Sequence, residues 1–291
     1  MPPELPLGLI RNTLEHISRS GDLCAVSLSF HALRAEGQSI LFKQRTPSSI
    51  DNHSQFMDAV IASPERLALF VRAYFQWLSI YSLSPWQSSA REISQSLYQL
   101  LRKTQSALPL MRNLKAFYYR RPIREQPTVF PLRNCWDFAL ETLNWNASAH
   151  DEELYRCFIP TQPELRHISI TGPENGTIDG LDPLPLACPK LMSLCGHDRD
   201  VYILLPGKTI THLMWRDDRN DNFNDPWTFC NQTLAELAPE FDSIQYFVKF
   251  HSVTRRDAVL SYMLKLTHLE IFVDCQICSF KIPPNSQNTD I

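Results

Sequence analysis

The chain has 291 residues, more than most single domains contain, which predicts two unequal units or one elongated one. Hydrophobic residues make up 44% of it, enough for a substantial core, whereas the net charge of -3 and a pI near 6.3 give no basic surface for nucleic acid or anionic membranes. Only 8 glycines are present, so backbone turns that cradle phosphates are few, which argues against a nucleotide enzyme.

The cysteines and the apolar segments indicate a compartment. The 8 cysteines are scattered, and no apolar secretory segment opens the chain, so we expect reduced thiols. The longest candidate for a membrane span, residues 69–83, is interrupted by Arg72 and Gln76. A cytoplasmic or nuclear protein that does not contact a membrane is therefore expected.

The first forty-odd residues predict three short helices. Leu5-Pro6 precedes a helical pattern, Ser20 or Asp22 can cap a second helix, and a third follows. The apolar positions of the three helices are Leu9, Ile10, Leu14 and Ile17, then Leu23 and Val26, then Leu33, Ile40 and Leu41. Helices this short bury little surface, so a partner or a flanking domain is expected to complete the unit.

Residues 5–42 resemble the F-box, especially in its fungal form, and read LPLGLIRNTLEHISRSGDLCAVSLSFHALRAEGQSILF. The shared features are Leu5-Pro6, an amphipathic helix, Asp22-Leu23 at the start of the next helix, and a Ser-Leu-x-x-x-x-Leu-Arg helix. The resemblance implies a module that docks on a Skp-family adaptor and, through it, on a cullin-based ubiquitin ligase. Carried over by position, the core and docking residues would be Leu5, Pro6, Leu9, Ile10, Leu14, Ile17, Leu23 and Leu28.

A hexad of the form Leu-x-x-Leu-x-Leu recurs in the rest of the chain. Its copies start at Leu114, Leu140, Leu165, Leu191, Ile210, Ile244 and Leu266. Most spacings fall within the roughly 20–29 residues of leucine-rich repeats. The fourth and sixth positions share one side of a strand, and helix-like stretches lie between several hexads. The pattern predicts an α/β fold in which an irregular leucine-rich-repeat-like solenoid follows the helical module; an ordinary α/β domain with a parallel sheet is the less favoured alternative.

These patterns divide the chain into four predicted segments. Residues 1–45 form the F-box-like module, and residues 46–90 a linker and N-terminal cap with a strand near residues 71–80. Residues 91–278 form the solenoid, and residues 279–291 a polar tail. No capping helix is evident after Ile271, which would fit a truncated array.

No motif of catalysis or metal binding is complete. Cys275 and Cys278 form an isolated Cys-x-x-Cys pair, and a structural zinc site needs four ligands. The acidic run from Asp217 to Asp225 lacks the glycine and the final acid of a calcium loop. His167, His212 and His268 fall in register, but on alternate strands about 10 Å apart. We therefore expect no enzyme activity, no metal and no cofactor, with an enzyme that lacks familiar motifs as an outside alternative.

The variable positions of the hexads predict a binding face. Its candidate substrate-binding residues are Tyr118, Arg120, His167, His212, Met214, Arg216, Tyr246 and His268, and Asn144, Asn146, Ser169, His197 and Glu270 complete the row. Aromatic residues and arginine carry much of the energy of protein interfaces. The expected function is recruitment of a protein substrate to a Skp-cullin-F-box ubiquitin ligase; the alternative is a repeat scaffold unrelated to ubiquitin, in which the N-terminal helices are only a cap.

Overall fold

The computed structural model of the protein describes residues 7–17, 19–29, 31–47, 49–77, 90–120, 129–136, 139–146, 151–171, 182–216, 231–250, 257–273 and 276–281. The chain divides into two compact units, Met1–Leu140 and Glu141–Ile291. The four segments predicted from the sequence remain predictions.

The first unit opens with the three predicted helices, α1 (Leu7–Glu15), α2 (Ser20–Ser29) and α3 (His31–Lys43). Leu14 and Leu23 are buried between them. Gly37 of α3 faces Ser27 of α2 so closely that an added Cβ would lie 1.9 Å from the serine Oγ. Glycine at this position therefore lets the second and third helices pack against each other.

The rest of the first unit alternates strands and helices. Its elements are β1 (Gln44–Arg45), α4 (Ile50–Ala62), α5 (Leu67–Phe70), β2 (Ala73–Trp77), α6 (Ala90–Ala107), a 3-10 turn (Leu108–Leu110) and β3 (Ala116–Arg120). β1, β2 and β3 pair in parallel in chain order. Strand β2 lies where the sequence predicts a strand, and its Tyr74 ring stacks between Phe56 and Phe117 with ring centroids 5.4 and 6.1 Å away.

The second unit repeats this scheme. Its elements are β4 (Thr142–Asn146), α7 (Asp151–Glu153) continued by a π turn (Leu154–Phe158) and a 3-10 turn (Ile159–Thr161), β5 (His167–Ile170), β6 (Ser193–Gly196), α8 (Asp198–Leu204), β7 (His212–Trp215), α9 (Asn231–Glu236), α10 (Ala238–Phe241), β8 (Tyr246–Phe250), a 3-10 turn (Asp257–Tyr262), β9 (His268–Val273) and β10 (Gln276–Lys281). β4 to β9 pair in parallel in chain order, and β10 pairs antiparallel with β9. β10 includes residues 279–281, which the sequence assigns to the polar tail.

Each hexad contains a strand, so the predicted α/β class is confirmed; the strands pair as a parallel sheet. The fourth hexad position is buried in the strands β3 to β8, as Leu143 and Phe247 illustrate. The amides that begin the strands also repeat one hydrogen-bond pattern. The N–H groups of Arg166 and His167 both donate to the Glu141 carbonyl, and the equivalent pairs of amides entering β6 to β9 donate to a carbonyl of the preceding repeat in the same way.

The cores of the two units are apolar and dominated by aromatic residues. Among the largest buried side chains are Phe117 and Phe130 in the first unit and Trp145, Trp215, Phe241 and Phe247 in the second. Within the described ranges, no helix combines the length and apolar character needed to cross a membrane.

Candidate binding faces

The side of the sheet opposite the core carries aromatic side chains in the first unit. Because side chains alternate along a strand, burial of Tyr74 and Gln76 turns Phe75 and Trp77 outward. The parallel register places Phe75 beside Tyr118 and Trp77 beside Arg120. We call Phe75, Trp77, Tyr118 and Arg120 the aromatic face.

The aromatic face is ordered by its own contacts. The rings of Phe75 and Tyr118 stack with centroids 4.1 Å apart and planes 10° from parallel. The guanidinium carbon of Arg120 lies 5.0 Å from the centroid of the Trp77 ring, and that ring is 53% exposed. Each such contact contributes on the order of 0.5–1 kcal/mol at an exposed site. A partner would therefore meet side chains that have already lost part of their conformational freedom.

A second row of side chains crosses the sheet of the second unit. The strand register aligns His167, Ser193, His212, Tyr246 and His268. The Tyr246 ring lies between the two imidazoles, 5.4 Å from His212 and 4.6 Å from His268, and is nearly parallel to His268. We call these five residues the His–Tyr row.

Glu270 fixes one end of the His–Tyr row. Its Oε1 lies 3.0 Å from Nε2 of His268. Hydrogen bonds from His268 and then Tyr246 lower the pKa of the Glu270 carboxyl, while partial burial and the same hydrogen bond raise the pKa of Tyr246. Glu270 therefore stays ionised and accepts from the neighbouring phenol, which holds the ring in the stack.

The three histidines that the sequence places in register do align across the sheet. A residue of an intervening strand separates each histidine from the next. Ser193 lies between His167 and His212, and Tyr246 lies between His212 and His268. Within the portion of the chain that the structure covers, no three His, Cys, Asp or Glu side chains converge as metal ligands would. Cys275 and the acidic run between Asp217 and Asp225 lie outside the described residues.

The other predicted face residues differ in exposure. Arg120, His167 and His212 are exposed, whereas Tyr118, Met214, Arg216, Tyr246 and His268 are half-buried. The prediction for His197 is wrong. This residue follows the last residue of β6, where the chain turns into α8, and its side chain is buried.

The sequence patterns do not predict a buried polar cluster that the structure shows at the start of α8. The Trp215 indole donates to Asp198 at 2.7 Å, and the His197 amide donates to Asp200 at 2.8 Å. The Tyr155 hydroxyl also donates to Asp200, and the Arg199 guanidinium lies over the Tyr155 ring. Glycine in place of an apolar residue at the end of one hexad, followed by His-Asp-Arg-Asp, was the available indication. With its carboxylates so engaged, the cluster anchors α8 to its neighbours.

The predicted docking residues of the N-terminal helices differ in their exposure to solvent. Leu9 and Leu28 are 55% and 75% exposed, while Leu14 and Leu23 are each only 3% exposed. Ile10 and Ile17 are half-buried, and Leu5 and Pro6 lie outside the described residues. Leu9 and Leu28 are available to a partner, and Leu14 and Leu23 hold the three helices together.

Comparisons with known proteins find little similarity to this chain. No family model matches the chain, and no curated protein matches it. A search of solved structures finds the crystal structure of an internalin (inlF) from Listeria monocytogenes str. 4b F2365, with 16% sequence identity and a TM-score of 0.29. The match covers 70% of this chain and 48% of that chain, so this chain spans about half the length of that structure.

Proposed function

We propose that the protein is a non-catalytic adaptor that recruits a protein substrate to a Skp-cullin-F-box ubiquitin ligase. In this proposal the N-terminal helices form an F-box-like module that docks on the Skp-family adaptor. The strands and their connections form a leucine-rich-repeat-like array whose outward side binds the substrate. No chemical step belongs to the chain itself.

The aromatic face is the observation that carries the binding function. It places a half-exposed tryptophan, a tyrosine and an arginine side by side, and these are the residue types most often found at interface hot spots. The contacts of Arg120 with Trp77 and of Tyr118 with Phe75 hold them in place before a partner arrives. Substrate binding at an ordered aromatic surface of this kind needs little further loss of side-chain entropy.

The repeat-like hydrogen bonding supports the array. Pairs of successive amides, such as Thr211 with His212 and Gln245 with Tyr246, donate to one carbonyl of the preceding repeat. Repeat proteins stack units that contact mainly their neighbours and present variable positions on one side. The outward strand positions of this chain include the aromatic face and the His–Tyr row.

The exposed leucines support the docking module. Leu9 on α1 and Leu28 on α2 are large apolar side chains left open to water. Burying each against a partner would contribute about 1.5–3 kcal/mol. The pair therefore suits a helical surface that a second protein covers.

Co-purification with a Skp-family adaptor tests the proposal. A Leu9→Asp, Leu28→Asp variant should lose the adaptor, because two carboxylates would be buried in an apolar contact. Leu264→Asp is the matched control, since Leu264 is 57% exposed but lies in the second unit. Both variants change exposed side chains, so circular dichroism should show folded protein in each case.

A repeat scaffold unrelated to ubiquitin is the second candidate function. It predicts that the wild-type chain never co-purifies with a Skp-family adaptor, while variants of the aromatic face still lose a protein partner. Retention of the adaptor by the Leu9→Asp, Leu28→Asp variant would also count against the docking surface named here.

A further inference from the structure

The two units of the chain carry opposite formal charges. Met1–Leu140 contains 16 Lys and Arg residues against 10 Asp and Glu, a formal charge of +6, whereas Glu141–Ile291 contains 12 against 21, a formal charge of -9. The net charge of -3 for the whole chain conceals this difference. Because salt screens exposed charges that lie more than about 10 Å apart, a charged partner responds mainly to the unit that it contacts. An acidic partner therefore favours the first unit.

The aromatic face lies in this cationic unit and contains no carboxylate. The strand register places Gln44, Ala73 and Ala116 beside it on the same side of the sheet. Among the outward positions of β1, β2 and β3 that the structure describes, Arg120 is the one charged residue. The outward side of the second unit differs, because it carries the ionised carboxylate of Glu270.

Arg120 is available for an ion pair with a ligand. Its guanidinium contacts the Trp77 ring and has no carboxylate or hydrogen-bond partner among the residues that the structure describes. Arg120 is exposed, so its planar set of N–H donors is open to solvent. A carboxylate that pairs with Arg120 would also lie close to the half-exposed ring of Trp77. One ligand can therefore combine an ion pair with an apolar contact at this position.

We propose that the aromatic face binds an acidic segment of a partner protein in which an aromatic side chain lies among carboxylates. The aromatic side chain packs on Trp77, and a neighbouring carboxylate accepts hydrogen bonds from Arg120. The positive charge of the first unit adds a longer-range attraction. This inference rests on the proposed function, because it gives the chemical class of the substrate that the array recruits.

Single-stranded nucleic acid fits the aromatic face less well. A strand of nucleotides needs a series of cations along its phosphates and open ring faces on which its bases stack. The described outward positions of the first unit supply one cation, and Phe75 and Tyr118 already stack on each other at 4.1 Å. A protein segment needs only one ion pair beside one apolar contact.

Two matched peptides test the proposal on the full chain. The acidic probe is Asp-Glu-Asp-Phe-Asp-Glu-Asp, and the amide probe is Asn-Gln-Asn-Phe-Asn-Gln-Asn, which has nearly the same shape and no side-chain charge. Fluorescence anisotropy of the labelled peptides measures both affinities. We expect the acidic probe to bind on the order of tenfold more tightly, because it adds a charge-assisted hydrogen bond, and to lose this preference as the salt concentration rises. Equal affinities at low salt would overturn the proposal.

Substitutions separate the ion pair from the apolar contact. Arg120→Gln should abolish the preference for the acidic probe, whereas Trp77→Ala should weaken the binding of both probes and keep the preference. Arg102→Gln is the matched control, since Arg102 is also exposed in the first unit and lies 5.4 Å from the centroid of the Tyr98 ring, but on α6. It should leave the ratio of the two affinities unchanged. A preference that Arg102→Gln and Arg120→Gln reduce equally would overturn the assignment to the aromatic face.

The other occupants give different results. Oligothymidylate that binds more tightly than the acidic probe would assign the face to nucleic acid and overturn the proposal. Self-association of the wild-type chain that Arg120→Gln abolishes would assign it to a second copy and overturn it as well.

The acidic specificity and the proposed recruitment to a ubiquitin ligase can fail separately. A preference for the acidic probe in a chain that never co-purifies with a Skp-family adaptor would contradict the recruitment and support the specificity. Equal affinities for the two probes in a chain that does co-purify would contradict the specificity alone.

Discussion

At the scale of single residues, His53 is a histidine whose side chain is removed from water. It belongs to α4 and is fully buried, and its Nδ1 lies 2.8 Å from the Tyr74 hydroxyl. Its Nε2 has no hydrogen-bond partner in the described part of the chain. Burial lowers the pKa of His53 from 6.5 to about 4, because the charged imidazole would lose its hydration.

This pKa shift predicts acid sensitivity. Between pH 6.5 and 4 the unfolded chain binds a proton at His53 and the folded chain does not. The neutral His53 therefore makes its full contribution to the free energy of unfolding above pH 6.5. As the pH falls to 4, folding should lose about 3 kcal/mol from this group alone. Urea unfolding at several pH values measures the loss.

A His53→Gln variant isolates the contribution of the imidazole. Glutamine is polar but does not titrate, so the variant should be less stable at pH 7 and lose less stability between pH 6.5 and 4. An unchanged slope would assign the acid sensitivity to other groups. Proton NMR titration of the wild-type chain should find the ring neutral at pH 5.

At the scale of elements, the junction of β6 and α8 shows why one hexad ends in glycine. The sixth position of that hexad is Gly196, where the two neighbouring hexads have Ile170 and Trp215. A Cβ at Gly196 would lie 2.6 Å from Cβ of Asp200, closer than two such atoms approach. Glycine therefore gives Asp200 the space in which it accepts from the His197 amide.

A Gly196→Ala substitution should displace this contact. Overpacking of this kind costs about 1–3 kcal/mol, so we expect a loss near 2 kcal/mol in urea unfolding. Gly21→Ala is the matched control, because an added Cβ there meets no atom within 4 Å and α2 should gain about 0.5–1 kcal/mol. A loss of similar size in both variants would contradict the packing argument.

At the scale of the whole molecule, the proposed function assigns docking and substrate binding to different surfaces. The docking surface contains Leu9 and Leu28 on helices, and the substrate surface contains the aromatic face on strands. Leu9, Leu28, Trp77 and Arg120 are exposed, and Phe75 and Tyr118 are half-buried on the side away from the core, so each surface can be altered with little effect on the core.

A pair of surface variants should separate the two interactions. A Trp77→Ala, Tyr118→Ala, Arg120→Ala variant should lose the substrate and keep the Skp-family adaptor, because it removes the ordered aromatic contacts only. The Leu9→Asp, Leu28→Asp variant should do the reverse. Quantitative mass spectrometry of affinity-purified chains measures both; partner sets that change together would argue against separate surfaces.

Local patterns in the sequence determined the elements of this protein. Alternation of apolar residues predicted the strands β3 to β9, and helical spacing predicted α1, α2 and α3, because both periods depend only on backbone geometry between near neighbours. The same alternation placed Tyr118, His212, Tyr246 and His268 on the outward side of the sheet. Recruitment to a ubiquitin ligase comes only from the resemblance of residues 5–42 and stays a proposal.

Tertiary packing decided which of these side chains are available. Leu9 and Leu14 belong to one apolar pattern, yet the first is exposed and the second buried. His197 occupies a variable position and is nevertheless buried, because Gly196 lets α8 turn back on its strand. The packing of α1, α3 and α5 brings Arg11, Lys43 and Arg72 to the wall of one cavity. No local period relates residues so far apart in sequence, because their approach depends on how complete elements pack.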